Sequence, residues 1–195
     1  MKLLIKTLTA FLLGLSITST TLFLPAGTLA YSRGWLFLCL LFIPIFIMGT
    51  ILLIKNPKLL RKRLEMKEHE KAQQGIVTIS GLFLIASFIV AGLDFRYSWS
   101  HITNGTVAIA SIVLLVSYAL YAEVLRENIY LSRVVKVQAE QHVIDTGLYA
   151  IVRHPMYFSV TLLYLAIPIV LGSWWALLVI SPCIFLLILR IRKRV

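Results

Sequence analysis

The length of the uncharged runs constrains this chain more than any other feature of its sequence. Residues 157–189 form a block of 33 without a single Asp, Glu, Lys, Arg or His. Residues 7–32, 34–54, 75–93 and 102–122 also lack Asp, Glu, Lys and Arg. A soluble domain carries about a quarter of its residues as charges, whereas here the fraction is 14% and the mean hydropathy is +0.91. Runs of this length match the hydrocarbon core of a bilayer. The chain therefore reads as one all-α polytopic membrane domain, residues 1–195. The net charge of +11 does not point to nucleic acid, because no basic stripe belongs to a soluble module; loops facing anionic lipid explain it. Cys39 and Cys183 sit in apolar blocks without Cys-x-x-Cys spacing and read as buried small hydrophobes.

Four spans are predicted, at about residues 8–24, 34–54, 75–93 and 102–125. The start mimics a signal peptide, with Lys2 and Lys6 before an apolar stretch ending Thr28-Leu29-Ala30. It is long enough to span and is followed by membrane-embedded chain, so a retained helix is the preferred reading. Pro44 within the second span is tolerable where neighbouring helices satisfy the freed carbonyl. Residues 55–74 hold seven Lys/Arg and three Glu, interleaved with Leu59, Leu60, Leu64 and Met66. They fit either a helix in the headgroup plane or a solvated connector. Tyr97 and Trp99 read as interfacial anchors.

Counting Lys/Arg by segment gives two at the N-terminus, one before Gly34, seven in residues 55–74, one at Arg96, four in residues 123–156 and four in the tail. That alternation places both termini, the second connector and residues 123–156 in the cytosol. The 33-residue block must then cross twice or not at all. As one helix it would be about 50 Å long against a core of about 30 Å. Pro168 and Gly172-Ser173 lie mid-block, so a hairpin of two short arms is expected, residues 157–170 and 174–189.

Polar chemistry concentrates just before that hairpin, in Asp145-Thr146-Gly147-Leu148-Tyr149 through Arg153-His154-Pro155-Met156-Tyr157. Residues 132–144 alternate roughly and suggest extended chain, Gly147 a turn or close approach, and Pro155 the first turn of a helix. No Gly-x-Gly-x-x-Gly, P-loop, His-Glu-x-x-His or Gly-x-Ser-x-Gly is present. Acidic residues are too few and scattered for a metal cage, so no metal site is expected. Gln138, His142, Tyr149, Arg153, His154 and Tyr157 together offer an Arg or His for a carboxylate and aromatic faces for a planar ring or a cation. The alternative is structural, with Arg153 as a membrane anchor and Tyr149 and Tyr157 as interface aromatics.

Gly147-Leu148-Tyr149-x-x-Val152-Arg153-His154-Pro155-Met156-Tyr157, followed by Gly172-Ser173-Trp174-Trp175, resembles the isoprenylcysteine carboxyl methyltransferase family. That membrane-integral group is also similar to phospholipid N-methyltransferases. Glu127-Asn128-x-Tyr130-x-Ser132-Arg133, the Gln138 to Ile144 run and Leu93-Asp94-x-Arg96 extend the likeness from about Asn56 to the end. The Arg-His-Pro-x-Tyr element occurs in weaker form in membrane sterol reductases. The resemblance implies S-adenosylmethionine held at the cytosolic face, in a segment of about residues 128–157. Its binding residues would be Gln138, His142, Val143, Ile144, Gly147, Tyr149, His154, Pro155, Met156 and Tyr157. It implies a lipophilic or prenylated acceptor drawn from membrane lipid, with carboxyl O-methylation of an isoprenylcysteine-like group expected first. Phospholipid N-methylation and NADPH-dependent lipid reduction are the alternatives.

Methyl transfer is an in-line displacement in which positioning and water exclusion carry most of the catalysis. A carboxylate acceptor needs no general base, whereas an amine must lose a proton, a role for His142 or His154. Relatives follow the second arm with an Arg thought to meet the acceptor and a Glu-Glu pair beginning a further helix. Here Arg194, or Arg190 in another register, stands for that Arg, and the chain as given stops at Val195 before the pair would fall. The catalytic candidates are therefore Arg194, by resemblance, and His154; the missing pair implies either that the natural chain runs further than this sequence or that part of the site, and with it activity, is lost. Where relatives have Gly two residues after the last motif Tyr, Ser159 stands as a small substitute.

Overall fold

A computed structural model describes residues 2–64, 71–127 and 146–192. Among these the chain is helical with no strand, in the order α1 (Lys2–Ala26), α2 (Ser32–Lys55), α3 (Pro57–Arg63), α4 (Lys71–Tyr97), α5 (Asn104–Glu127), α6 (Leu148–Ile151), α7 (Pro155–Leu171), α8 (Trp174–Ile180) and α9 (Pro182–Arg192). Four of these helices, α1, α2, α4 and α5, are long and apolar enough to cross a membrane. Their outer surfaces stay apolar, with Leu13, Leu24, Ile47, Leu82 and Ile109 all more than half exposed. A helix that is apolar all round and not buried in protein is one that faces lipid. The all-α polytopic architecture with a C-terminal helical hairpin is therefore the one the protein adopts.

Narrow stripes hold the bundle together. On α2 the buried residues Gly34, Phe37, Leu38 and Phe42 recur at helical spacing and face the core. Where α1 crosses α4, Gly92 lies so close to the Leu22 carbonyl that a Cβ would collide with it. Small residues let helix backbones approach in a membrane, where packing rather than hydrophobic expulsion drives association. Two α1 hydroxyls bond back to their own helix: Thr7 donates to the Leu3 carbonyl and Thr21 to the Ile17 carbonyl, both at 2.8 Å. Such back-bonding makes a Thr tolerable on an apolar span. Of the two cysteines, Cys183 is fully buried and points its thiol at the Ser80 carbonyl, 3.6 Å away. Cys39 corrects the expectation of burial: it is exposed, because it lies off the α2 core stripe.

The hairpin turns at Gly172. Pro168 sits inside α7, while Gly172 adopts φ +83°, ψ +26° and closes the helix with its N–H 3.0 Å from the Ile169 carbonyl. This is the left-handed C-terminal cap that favours glycine. Ser173 then caps α8 by accepting from the Ala176 N–H at 3.0 Å. Ser181 keeps helical angles, so α8 and α9 run on as one arm interrupted by Pro182. The 17 residues of α7 extend about 25 Å, short of a hydrocarbon core of about 30 Å. The hairpin is anchored to α4, where the buried Ser87 hydroxyl donates to the Ala176 carbonyl at 3.1 Å.

At the end of the bundle where α4 meets α5 and α7 meets α8, buried polar groups tie the loops together. Asp94, 2% exposed, accepts from the Ser100 N–H and the Ser100 hydroxyl, each at 2.7 Å, and from the Ser173 hydroxyl. The Ser100 Oγ in turn accepts from the Trp174 N–H at 3.1 Å. Tyr31, fully buried, donates to the Leu171 carbonyl at 2.5 Å. Arg33 donates to the Ile102 carbonyl at 2.7 Å and the Asn104 Oδ1 at 3.1 Å. Its side chain also fills the space a Cβ on Gly172 would need. Tyr97 and Trp99, both more than half exposed, stack at 5.5 Å beside this clasp.

Candidate functional site

The opposite end carries the polar motif. Helix α5 runs out through an exposed Glu123–Arg126 pair, whose contribution at the surface is small. Its last residue, Glu127, reaches across to the chain that leads back into the bundle. The Glu127 carboxylate accepts from the Leu148 N–H at 3.1 Å and occupies the space a Cβ on Gly147 would take. Gly147 itself has φ +54°, ψ −124°, a conformation open essentially to glycine alone. Two independent reasons therefore require glycine there. A carboxylate on the first N–H of a helical turn is also favourably placed for charge.

From this anchor the chain makes the single turn α6, closed by the Val152 N–H on the Leu148 carbonyl at 2.9 Å. Val152 is extended, and His154 has φ −133°, ψ +63°, because a residue before proline is pushed out of the helical region. Pro155 opens α7 at the position where its missing N–H costs nothing. The His154 carbonyl accepts from the N–H groups of Tyr157 and Phe158, both at 3.1 Å, but its imidazole makes no capping bond. It is exposed and meets the Tyr157 ring edge-on at 6.1 Å.

The residues singled out from sequence thus divide by burial. Gly147, Arg153 and His154 are exposed, Tyr149 and Met156 half-buried, and Pro155 and Tyr157 buried in the bundle. Ser159 is fully buried, donating to the Met156 carbonyl at 2.9 Å, which explains why a small residue stands there. Gln138, His142, Val143, Ile144 and Arg194 lie outside the described residues, as does the reading of residues 132–144 as extended. Glu127 was legible only as part of a resemblance. Nothing in its spacing announces that it will clasp a residue twenty positions further on.

Between α2 and α5, at the same end, lies an apolar groove of about 420 Å³. Pro44, Met48 and Leu52 line it from α2, and Tyr118, Ala119 and Ala122 from α5. Its lining is almost wholly apolar, a place for hydrocarbon.

The fold and site define a polytopic helical membrane protein with an Arg-His-Pro turn at the mouth of a short hairpin. Residues 100–194 match the model of the phospholipid methyltransferase family, a family of membrane methyltransferases. The matched stretch, just under half of the chain, begins at Ser100, after Asp94, and runs through α5, the polar turn and the hairpin. No curated protein and no solved structure matched.

Proposed function

We propose that this protein transfers a methyl group from S-adenosylmethionine to a lipid acceptor taken from the bilayer. The reading is carried by the phospholipid methyltransferase match, because it spans the stretch holding Gly147 to Tyr157. The chemistry of the described residues fits the cofactor. Arg153 is an exposed cation for its carboxylate, and the half-buried Tyr149 ring suits an adenine or a sulfonium. Bound there, S-adenosylmethionine would supply an electrophilic methyl group on a cationic sulfur. Gln138, His142, Val143 and Ile144 complete the proposed cofactor set, and Arg194 is the proposed acceptor contact.

The acceptor we favour is the headgroup amine of a phospholipid, since the matching family is named for that class. The apolar groove between α2 and α5 would take its acyl chain. An amine attacks only as the free base, and we assign the exposed His154 to accept its proton. An isoprenylcysteine carboxylate is the second acceptor, favoured by the Arg153-His154-Pro155-Met156-Tyr157 element. It would need no base. Methyl transfer at neutral pH that survives His154→Gln at saturating S-adenosylmethionine favours that acceptor.

Calorimetry of the protein in detergent with S-adenosylmethionine or its demethylated product tests the cofactor assignment. His154→Ala is expected to weaken binding at least tenfold, and Lys62→Ala to leave it unchanged. Equal effects of the two substitutions, or preference for NADPH, would overturn the reading. A labelled-methyl screen against total lipid extract and prenylcysteine analogues then separates the acceptors.

A further inference from the structure

The end of the bundle away from the polar turn holds a second groove between α2 and α5, of about 400 Å³. Its polar rim is Ser32, Arg33 and Asn104, and its apolar floor is Leu36, Val107 and Ala108. Ser32, Leu36, Asn104 and Ala108 are exposed, so the groove opens outward on the bundle's lipid-facing side. The rim stands at the level of an aromatic belt: Trp35, Tyr97, Trp99, Trp174 and Trp175 are each about half exposed at this end. Such a belt marks the headgroup region of a bilayer.

Arg33 is the charge at this rim. A guanidinium has five N–H groups, and one terminal nitrogen of Arg33 serves both the Ile102 carbonyl and Asn104. Among the described residues no carboxylate lies within ion-pair distance of it. Asp94 lines a neighbouring pocket with Arg33, but its oxygens are taken by Ser100 and Ser173. The guanidinium is thus held at the polar edge of an apolar groove with no direct ion pair among the described residues, the Asp94 charge lying in the neighbouring pocket. Arginine in that position is suited to a phosphate.

We propose that this groove binds one anionic phospholipid, its phosphate on Arg33 and an acyl chain along Leu36, Val107 and Ala108. An anionic headgroup is favoured over a zwitterionic one because the rim offers a cation and no carboxylate for a headgroup ammonium. The site is separate from the methyl-transfer reading and stands without it. Its role would be to fix α2 against α5 at the end opposite the polar turn.

The test is native mass spectrometry of the full chain released from detergent, titrated with dioleoylphosphatidylglycerol, dioleoylphosphatidylcholine or inorganic phosphate. The first phosphatidylglycerol is expected to bind at least tenfold more tightly than phosphatidylcholine. Both Arg33→Gln and Ala108→Trp should lower that first affinity tenfold or more. Arg33→Gln also removes bonds to Ile102 and Asn104, so a loss in that variant alone is insufficient. Ala108→Trp leaves Arg33 in place and fills the groove from its exposed side. Unchanged phosphatidylglycerol affinity in either variant overturns the proposal, as does equal binding of the two lipids. Inorganic phosphate retained at millimolar concentration without lipid would assign Arg33 to a free anion and overturn the lipid site.

Discussion

Two glycines at opposite ends of the molecule are built alike and sit in different surroundings. Gly172 and Gly147 both have positive φ, and at each a charged side chain fills the space where a Cβ would stand: Arg33 at Gly172, Glu127 at Gly147. Around Gly172 the polar groups are buried and mutually satisfied, with Asp94, Ser173 and Tyr31 each no more than 2% exposed. Around Gly147 the chain is exposed, and α6 is one turn long. The same local device therefore serves a frame at one end and a surface turn at the other. Buried and fully paired networks rigidify, whereas exposed short turns open at low free energy. The protein is knit at the end away from its polar motif and left adjustable where a ligand would enter.

Substituting alanine at each glycine tests that contrast most severely. Gly172→Ala must place a Cβ at φ +83° and displace Arg33 from its bonds to Ile102 and Asn104. The left-handed backbone and the overpacking together should cost about 2–4 kcal/mol. Gly147→Ala meets a backbone still less open to a Cβ, but the exposed turn can rearrange, so the loss of global stability is capped at about 1 kcal/mol. Its effect should fall on S-adenosylmethionine affinity, at least tenfold. Thermal unfolding in detergent beside cofactor calorimetry checks both, and equal melting shifts would erase the distinction between the two ends.

Asp94→Asn comes next in size. The amide keeps one accepting oxygen but turns an NH2 group toward donors from Ser100 and Ser173. Losing charge-assisted bonds and leaving a buried donor unpaired should cost about 2–3 kcal/mol, read as a melting temperature lower by roughly 5–10 °C. Cofactor affinity should not move. A variant that melts normally but binds poorly would mean the clasp shapes the site directly.

The contrast also explains what the sequence made legible. Span number and the hairpin followed from uncharged length, because in lipid a segment must satisfy its own backbone. Gly172-Ser173 announced the turn, and Pro168 just before it stays inside α7 at the loss of one backbone bond. The Gly147 to Tyr157 stretch stood out because polar side chains are rare in such a chain. The clasp did not. Asp94, Ser100 and Ser173 are separated by up to 79 positions, and each alone reads as an ordinary loop residue. Glu127 was hidden for the same reason, its partner lying 21 residues away. Periodicity reports which way a helix faces, but pairings closed by tertiary contact leave no periodic trace.

The smallest expected effect concerns the one clasp residue that titrates in the alkaline range. Burial first, and the Asp94 carboxylate second, raise the Tyr31 phenol above its usual value of 10.0, with Arg33 opposing. A raised folded-state value means that the native state holds this proton more tightly than the unfolded chain. The resulting stability is fully present below about pH 10 and is lost as pH rises beyond it, at up to about 1.4 kcal/mol per pH unit. Tyr31→Phe forfeits the bond to the Leu171 carbonyl, costing about 1 kcal/mol at neutral pH. It also removes the titrating group, so its stability should fall less steeply than that of the parent between pH 10 and 11. Other tyrosines contribute equally to both curves and cancel in the difference. Parallel curves would show that the Tyr31 phenol is already solvated, and that the clasp is less tightly sealed than its hydrogen bonds require.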